Sequence, residues 1–526
     1  MKSITCGVLV IASACATLSY AQPSWAEPSA PVPSQTSSSN GRTSLSALIR
    51  EARSNPEDVE AWLALGQRYL DDGVLERAKE SFLEAVTLDY LSAEAHFGLG
   101  LTEYARGDFA AALFEFGEVS RLFPTRFDGH YNRAVTLAKL RRTEEAVGAF
   151  QEAIAQAEPE ASAEARVDAY LGLAEQLKTL ERFGEAAEAY AAASDITQDD
   201  QQRDELTYRR ADALYRAGQG LDALPSLGGL EGDYRVDTLI ADIYAQAGQN
   251  DYALRSLKRA IRNAASAGNT DAQARLLTKL GTLQRELGRE ADAADTFERA
   301  VEVDGDSSEA LYNLGRSLLE SGQPEAALAP LQRALGAEND AETEGAIYLA
   351  RASAFEQLSQ PDEALRAAEA AAQRLGDAET RSDAIFIIGR SLYRLGDYRG
   401  ALIALEDVVA AQPGNAAAQL WAGLAHYQAG QYRSAAQFYE RAVQLDPESL
   451  EARINLGAAY LAAERYEDAE LVYELLIQRT GGDADTYYNL GWSLLSQGRG
   501  NEARQAWQRS SELGYTPART ALRQYF

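Results

Sequence analysis

The chain of 526 residues carries 79 acidic against 50 basic residues, a net charge of −29. A field of that sign repels polyanions, so nucleic acid and anionic lipid are both disfavoured as partners. Hydrophobic residues make up 46% of the chain and charged residues 25%, which is the composition of a folded protein rather than a disordered one. The acidic excess serves either the solubility of a long exposed fold or attraction to a cationic ligand, to cations in the envelope or to a saline milieu.

The first 26 residues have the pattern of an export signal. Lys2 precedes an apolar run over residues 4–18, and two small-x-small sites follow, so cleavage is expected after Ala21 or Ala26. The run is too short to span a membrane, and no later stretch is long and apolar enough to do so. We therefore expect a soluble protein in the periplasm, in the cell envelope or outside the cell.

Both cysteines, Cys6 and Cys15, lie inside this segment, so its removal leaves no thiol for disulfides or metal sites. Residues 12–15, Ala-Ser-Ala-Cys, also resemble a degraded lipoprotein box, and a lipidated Cys15 would tether the chain to a membrane surface. Residues 27–44 are rich in proline and serine and predict a flexible linker. Residues 45–58 predict a single capping helix that ends before Pro56.

From residue 59 the chain repeats a pattern of large and small apolar residues over 34 positions. Each copy predicts two helices that form an antiparallel hairpin, and one hairpin needs neighbours to bury its apolar face. Gly66 and Ala78 are small where the two helices would cross, so we call them and their equivalents the first and second crossing residues. The apolar stripes of the first copy are Trp62, Leu65 and Tyr69, then Ala78, Phe82 and Ala85.

About 13 copies follow one another, and only glycine or alanine occurs at either crossing position. They resemble the tetratricopeptide repeat, whose first helix carries W-x2-L-G-x2-Y and whose second carries A-x3-F. This resemblance implies an all-α fold, a right-handed α-solenoid superhelix. We expect repeats 1–5 in residues 59–233, repeats 6–13 in residues 234–517 and a closing helix in residues 518–526. Repeat 5 should be irregular, because Pro225 falls inside its second helix.

No catalytic, metal or cofactor site is predicted. The three histidines, His96, His130 and His426, occupy aromatic positions of the repeat and are interpreted as packed substitutes. Asp304-Gly305-Asp306 resembles a fragment of a calcium loop, but it lacks the remaining ligand spacing and is interpreted as a turn. With neither a thiol nor a spare histidine, nucleophilic triads are hard to build.

The resemblance implies a concave groove lined by the first helices, with the fifth, ninth and twelfth residues of each repeat toward the ligand. Tyrosine, tryptophan and arginine, which dominate binding energy at interfaces, are frequent at or beside those places. The alternative for each single residue is that it completes packing between repeats. Lysines that clamp a peptide carboxylate in some members of the family are absent from their places here. The candidates are Tyr131, Tyr208, Tyr312, Arg316, Arg390, Tyr393, Arg394, Tyr427, Tyr488, Asn489 and Trp492.

We expect a non-catalytic exported scaffold whose groove binds a peptide segment or protein partner, within a cell-envelope assembly or export complex. The alternative is a carbohydrate- or polysaccharide-binding accessory protein of export, since tyrosine and tryptophan also stack on sugar rings. An enzyme is the third and least favoured possibility. Salt distinguishes the first two, because sugar binding survives high salt whereas arginine-mediated peptide binding weakens.

Overall fold

The computed structural model describes residues 44–157, 161–230, 232–337 and 339–526. These ranges contain 28 helices and no strand: a first helix, 13 helix pairs and a last helix in chain order. The expected all-α solenoid of about 13 repeats is therefore confirmed. The export signal, Cys15 and all but the last residue of the expected linker lie outside the described residues.

The chain divides into two compact units between Gly268 and Asn269. That division falls one repeat later than the boundary expected at residue 233. In each unit, helices that follow one another pack side by side. The helices of the N-terminal unit are α1 Leu45–Ser54, α2 Val59–Asp71, α3 Leu75–Leu88, α4 Ala93–Arg106, α5 Phe109–Leu122, α6 Phe127–Lys139, α7 Thr143–Ala155, α8 Ala163–Thr179, α9 Phe183–Ile196, α10 Asp200–Arg216, α11 Gly220–Leu227, α12 Tyr234–Gln246 and α13 Asn250–Ser266.

The C-terminal unit continues the same alternation, and hairpin 1 is α2 with α3, hairpin 2 is α4 with α5, and so on to hairpin 13. Its helices are α14 Thr270–Glu286, α15 Glu290–Val303, α16 Ser308–Glu320, α17 Pro324–Ala334, α18 Ala341–Gln357, α19 Pro361–Ala372, α20 Ala378–Leu395, α21 Tyr398–Ala411, α22 Ala416–Gln428, α23 Tyr432–Leu445, α24 Leu450–Ala462, α25 Tyr466–Thr480, α26 Ala484–Ser496, α27 Gly500–Glu512 and α28 Thr516–Tyr525.

The crossing residues set how closely the two helices of a hairpin approach. A Cβ atom added at Gly100 would lie 2.7 Å from Cε1 of Phe116, so the ring lies directly against the glycine backbone. Because side chains in protein interiors are close-packed, no room remains for a larger residue. The second crossing residue is buried in all 13 hairpins: Ala78, Ala112, Ala146, Ala186, Ala223, Ala253, Ala293, Ala327, Ala364, Ala401, Ala435, Ala469 and Ala503.

Local signals start and end the helices. The Ser92 hydroxyl accepts a hydrogen bond of 3.2 Å from the Ala95 N–H at the start of α4, which satisfies one of the free amides of the first turn. α4 ends at Arg106 and is capped by Gly107, whose φ of 81° lies in the left-handed region that glycine adopts without steric cost. The hairpin turn therefore follows directly from the sequence.

The fourth residue of several repeats donates a hydrogen bond to the carbonyl group six residues earlier. Trp62 Nε1 donates to the Pro56 carbonyl at 3.0 Å, and Gln419 Nε2 donates to the Pro413 carbonyl at 3.3 Å. His96 Nε2 lies 3.0 Å from the Tyr90 carbonyl oxygen, and His130 Nε2 lies 2.8 Å from that of Pro124. What these side chains share is a polar hydrogen that ties the first helix to the loop before it.

The interpretation of the histidines as packed residues is confirmed. His96, His130 and His426 are all buried. His426 stacks on Phe438 with ring centroids 4.7 Å apart, and its two nitrogens lie 2.7 Å from Gln431 Oε1 and 3.0 Å from Glu406 Oε1. Both ring nitrogens of each histidine are thus engaged within the fold.

The expected irregularity of repeat 5 is also confirmed. α11 has only eight residues, with Pro225 inside it and Gly228 directly after its end. Proline removes a helical hydrogen bond and clashes with the preceding turn, so the helix stops early. Across the described ranges, no helix is both long and apolar enough to cross a membrane.

Gly100→Ala and Gly117→Ala form a matched test of the crossing contact, because both glycines lie in the helices of hairpin 2. Gly100→Ala places a methyl group against Phe116, and overpacking of this kind costs roughly 1–3 kcal/mol. A methyl group at Gly117 meets nothing within 4 Å, and alanine in a helix is favoured over glycine by roughly 0.5–1 kcal/mol. We expect Gly100→Ala to lower the urea midpoint followed by circular dichroism and Gly117→Ala to raise it. Equal stabilisation by both changes would contradict the crossing constraint.

Candidate functional site

Three consecutive first helices of the C-terminal unit, α18, α20 and α22, bring together a group of charged and aromatic side chains. We call it the Trp421 cluster, and its members are Glu356, Arg390, Tyr393, Arg394 and Trp421. Arg390 Nε lies 3.0 Å from Glu356 Oε1, and Arg394 Nη1 lies 3.8 Å from the same oxygen. Two guanidinium groups therefore share one carboxylate.

The Trp421 ring is the platform of this cluster. The Arg390 guanidinium lies 5.0 Å from the ring centroid and that of Arg394 lies 5.9 Å from it, both within the range of cation–π attraction. Tyr393 meets the same ring edge to face, with centroids 5.4 Å apart. The aromatic ring thus holds both arginines in place while Arg394 keeps about a third of its side chain exposed.

Burial shapes the protonation of this cluster. It raises the pKa of the Glu356 carboxyl group, an effect that the two neighbouring arginines oppose. Burial also lowers the pKa of Arg390, which Glu356 raises and Arg394 lowers further. With both arginines charged and one carboxylate between them, the cluster carries an excess positive charge that is partly withdrawn from water.

A second group, the Tyr312 cluster, lies at α14, α15 and α16 of the same unit. Arg316 Nη2 donates to Glu320 Oε1 at 3.0 Å, and its guanidinium lies 5.8 Å from the Tyr312 ring centroid. Arg285 Nη1 donates to Asn313 Oδ1 at 3.0 Å. The predicted pair of Tyr312 and Arg316 is therefore in contact, and Glu320 holds the arginine.

Glu290 lies beside this group, and its carboxyl group meets that of Glu320. Burial is the largest cause that raises the pKa of Glu290 to about 7, followed by the hydrogen bond with Glu320. Two carboxyl groups in contact repel each other when both are ionised, so one proton shared between them stabilises the contact. The raised pKa therefore places beside the Tyr312 cluster a carboxyl group that can hold a proton at neutral pH.

Three predicted site residues lie on α26, near the last helix, rather than in an open groove. Tyr488 meets Tyr515 edge to face at 5.1 Å, and Trp492 meets Tyr525 at 5.5 Å; Tyr515 immediately precedes α28 and Tyr525 ends it. Both rings also pack against the fully buried Trp507. Asn489 lies between them on α26 and is partly buried. The ring contacts of Tyr488 and Trp492 therefore fit the alternative interpretation, in which these residues complete the packing of the repeats.

The prediction for Tyr131 is wrong in this structure. Tyr131 is fully buried, stacks on Phe127 with centroids 5.5 Å apart and meets Phe150 edge to face at 6.0 Å. A ring enclosed between two others presents no surface to a ligand. Because Phe127 and Phe150 enclose it, this position of α6 is part of the hydrophobic core.

Tyr208 and Tyr427 are partly buried and keep some surface. The Arg235 guanidinium lies 5.0 Å from the Tyr208 ring centroid, and burial raises the pKa of Tyr208 to about 12. Tyr427 meets Tyr432 edge to face at 5.1 Å. Tyr208 belongs to the N-terminal unit and Tyr427 to the C-terminal unit, where it follows Trp421 on α22.

Sequence reasoning missed Glu356 and Trp421. Glu356 is the twelfth residue of its repeat, which is one of the places that the family resemblance directs toward the ligand. The resemblance would therefore identify Glu356 if acidic residues were considered there together with tyrosine and arginine. Trp421 occupies the sixth place, one residue from the fifth, and only the contact with α20 reveals its role. In the part of the chain that the structure describes, no group of three or more His, Cys, Asp or Glu residues is placed to hold a metal ion.

Comparison with protein families gives three matching models. One, described as a tetratricopeptide repeat, matches residues 63–127, 278–346 and 454–512, and a second tetratricopeptide model matches residues 234–306. A model of subunit 3 of the anaphase-promoting complex, or cyclosome, matches residues 395–474. No curated protein sequence matches the chain.

Solved structures with the same kind of fold are similar over most or part of the chain. The Cut9–Hcn1 hetero-tetramer of the anaphase-promoting complex has 15% identity and a TM-score of 0.34, covering 92% of this chain and 98% of that one. Naa15/Naa10 bound to HypK has 14% identity and a TM-score of 0.38, covering 89% and 72%. YrrB, described as a repeat protein with an unusual peptide-binding site, has 21% identity and a TM-score of 0.32, covering 36% and 95%.

Glu290→Gln tests the shared proton. The folded chain holds the Glu290 proton more tightly than the unfolded chain, so the stability that this proton contributes is lost as pH rises from the ordinary glutamate range through about 7. Glutamine mimics the protonated acid, so we expect Glu290→Gln to raise the melting temperature by roughly 2–4 °C at about pH 8 and to leave it unchanged at about pH 5. Glu286→Gln, at the exposed end of α14, is the control and should show no such difference. The shared proton is disproved if the two variants behave alike at both pH values.

Proposed function

Because this chain is a tetratricopeptide repeat protein, we propose that it is a non-catalytic scaffold that binds a protein partner through the first helices of hairpins 9 to 11. The observation that carries this proposal is the Trp421 cluster, in which two arginines share one carboxylate beside an aromatic ring. Stacked repeats present a preformed surface, which lowers the entropic cost of ordering an extended ligand.

The ligand that this chemistry suits is a peptide segment that bears a carboxylate. Arginine binds carboxylates with paired, charge-assisted hydrogen bonds, and Arg394 has the exposed surface to do so. Its contact with Glu356 is 3.8 Å long, too long for a hydrogen bond, so a ligand carboxylate would not have to displace one. Tyr393 and Trp421 would flank the bound segment.

The other predicted site residues are assigned to the proposed groove according to whether their side chains remain accessible. Tyr312 and Arg316 would extend the surface toward hairpin 8, and Tyr427 would extend it along α22. Tyr208 would belong to a separate contact in the N-terminal unit. Tyr488, Asn489 and Trp492 would instead stabilise the end of the array.

We also propose that the scaffold is exported and acts in a cell-envelope assembly or in export of protein or polysaccharide. The support is the sequence of the first 26 residues, with its apolar run and its two cleavage sites at Ala21 and Ala26. A chain without thiols after cleavage suits an oxidising compartment. The acidic surface would then keep a long array soluble in the envelope.

Arg390→Gln with Arg394→Gln tests the binding surface. The full chain and this variant are used to capture proteins from an envelope extract, and mass spectrometry quantifies each captured protein. We expect one partner to be reduced by about tenfold in the variant, because two charge-assisted bonds are lost. Raising salt from about 0.1 M to about 0.5 M should release the same partner from the unmodified chain.

Arg366→Gln is the matched control, because Arg366 is exposed on α19 and forms no ion pair with any described residue. It should capture the partner as the unmodified chain does. Equal capture by the Arg390/Arg394 variant would place the binding elsewhere. Capture of a glycan that persists at high salt and survives protease treatment of the extract would favour the polysaccharide alternative.

Processing of the amino terminus tests the proposed location. We expect the protein recovered from the producing cell to begin at Gln22 or at Glu27, as measured by N-terminal sequencing, and to fractionate with the envelope contents. Ala21→Arg with Ala26→Arg blocks both small-residue sites and should leave the segment attached. Labelling by palmitate that is lost in Cys15→Ser would instead establish the lipid tether, and an intact Met1 in cytoplasmic fractions would contradict export.

A further inference from the structure

A cavity lies beside the short helix α11 in the N-terminal unit. Its volume is about 560 Å³, and it lies among α11, α12 and α13. Gly228, directly after the end of the helix, forms part of the wall. α11 is about a turn and a half shorter than the second helix of most repeats. Ligand pockets commonly have volumes in this range.

One wall of this cavity is basic, in a chain whose net charge is −29. Arg255, Lys258, Arg259 and Arg262 all lie on α13, are exposed and line the cavity. Arg259 is paired with Asp237. The other three form no ion pair with any residue that the structure describes, and none of the described residues that line the cavity is acidic. We call these four residues the α13 basic face.

Most of the other side chains that line the cavity are aromatic or apolar. Tyr244 and Tyr252 stack with centroids 5.1 Å apart and an interplanar angle of 27°, and the Arg255 guanidinium lies 5.1 Å from the Tyr252 ring centroid. Leu224 and Ile240 complete an apolar wall. The cavity thus joins an apolar and aromatic wall to a cationic one.

We propose that this cavity binds a short acidic segment of a partner protein, with one aromatic or aliphatic side chain inserted between Leu224, Ile240 and the tyrosines. Carboxylates on either side of that residue would pair with Arg255, Lys258 and Arg262, which have no counter-ion of their own among the described residues. This site is separate from the groove proposed above, and its charged residues lie on the second helix of a repeat rather than on the first.

The length of the basic face sets the length of the ligand. Residues 255–262 span about 10 Å along α13, because a helix rises about 1.5 Å per residue. An extended peptide covers that distance with about three residues, since it rises about 3.3 Å per residue. A long polyanion, such as a nucleic acid or an acidic polysaccharide, would run past the patch onto the acidic remainder of the surface. Charge complementarity therefore favours a short acidic peptide.

The test uses a fluorescein-labelled peptide of four glutamates around one phenylalanine, and fluorescence anisotropy measures its binding. The full chain with Arg390→Gln and Arg394→Gln serves as the background, so that the proposed groove cannot contribute. We expect Lys258→Gln with Arg262→Gln to weaken binding by about tenfold, through loss of two charge-assisted contacts. The same probe with glutamine in place of glutamate should not bind, and alanine in place of phenylalanine should weaken it.

Arg366→Gln with Arg504→Gln is the matched control, because both arginines are exposed on second helices and form no ion pair with a described residue. It removes the same charge and should leave binding within about twofold, well inside the expected loss. The proposal is overturned if both double variants bind alike, if the background chain binds no probe up to about 1 mM, or if a sulfated oligosaccharide of equal charge competes more strongly than the peptide. Circular dichroism of each variant establishes that it is folded.

Discussion

The two helices of each hairpin approach so closely that only a small residue fits where they cross, and the rest of the fold depends on that contact. In hairpin 2 the Phe116 ring lies against Gly100, and in hairpin 12 the Tyr473 ring lies against Gly457, where an added Cβ would come within 2.9 Å of the ring. Close-packed interiors of this kind fix the distance between the helices and hence the direction of every other side chain. The surfaces that face away from the crossing are then free to carry charge and aromatic rings.

Much of the fold follows from the sequence because only glycine or alanine occupies the crossing positions, and these small residues recur in both helices of every repeat. Pro225 likewise acts locally, through a missing amide hydrogen and a clash, so its effect on α11 could be predicted. The site could be predicted only in part. Tyr131 occupies a groove place by its number in the repeat, yet Phe127 and Phe150 enclose it. Trp421 and Glu356 matter through contacts that join three separate hairpins, and no local pattern encodes such contacts.

Net charge describes this protein poorly at the scale on which ligands bind. Salt screens charges beyond about 8–10 Å, so a bound group responds to the few side chains around it rather than to the sum over the chain. The Trp421 cluster and the α13 basic face are both locally cationic within a strongly acidic sequence. In both places a guanidinium lies over an aromatic ring, which orients the cation without neutralising it. The acidic residues elsewhere on the chain would repel a long anionic ligand, so such sites would bind only short ones.

The crossing contact also limits how this gene can change during evolution. Gly66 meets Phe82 and Gly100 meets Phe116 within single hairpins, and each hairpin otherwise depends mainly on its immediate neighbours. Duplication or deletion of a whole 34-residue unit preserves every such contact, so the array can lengthen or shorten while it remains folded. Insertion of one residue inside a helix rotates the small residue away from the crossing by about 100°, since the helix has about 3.6 residues per turn. Length variation among descendants of this chain should therefore occur in whole repeats or in the loops between them.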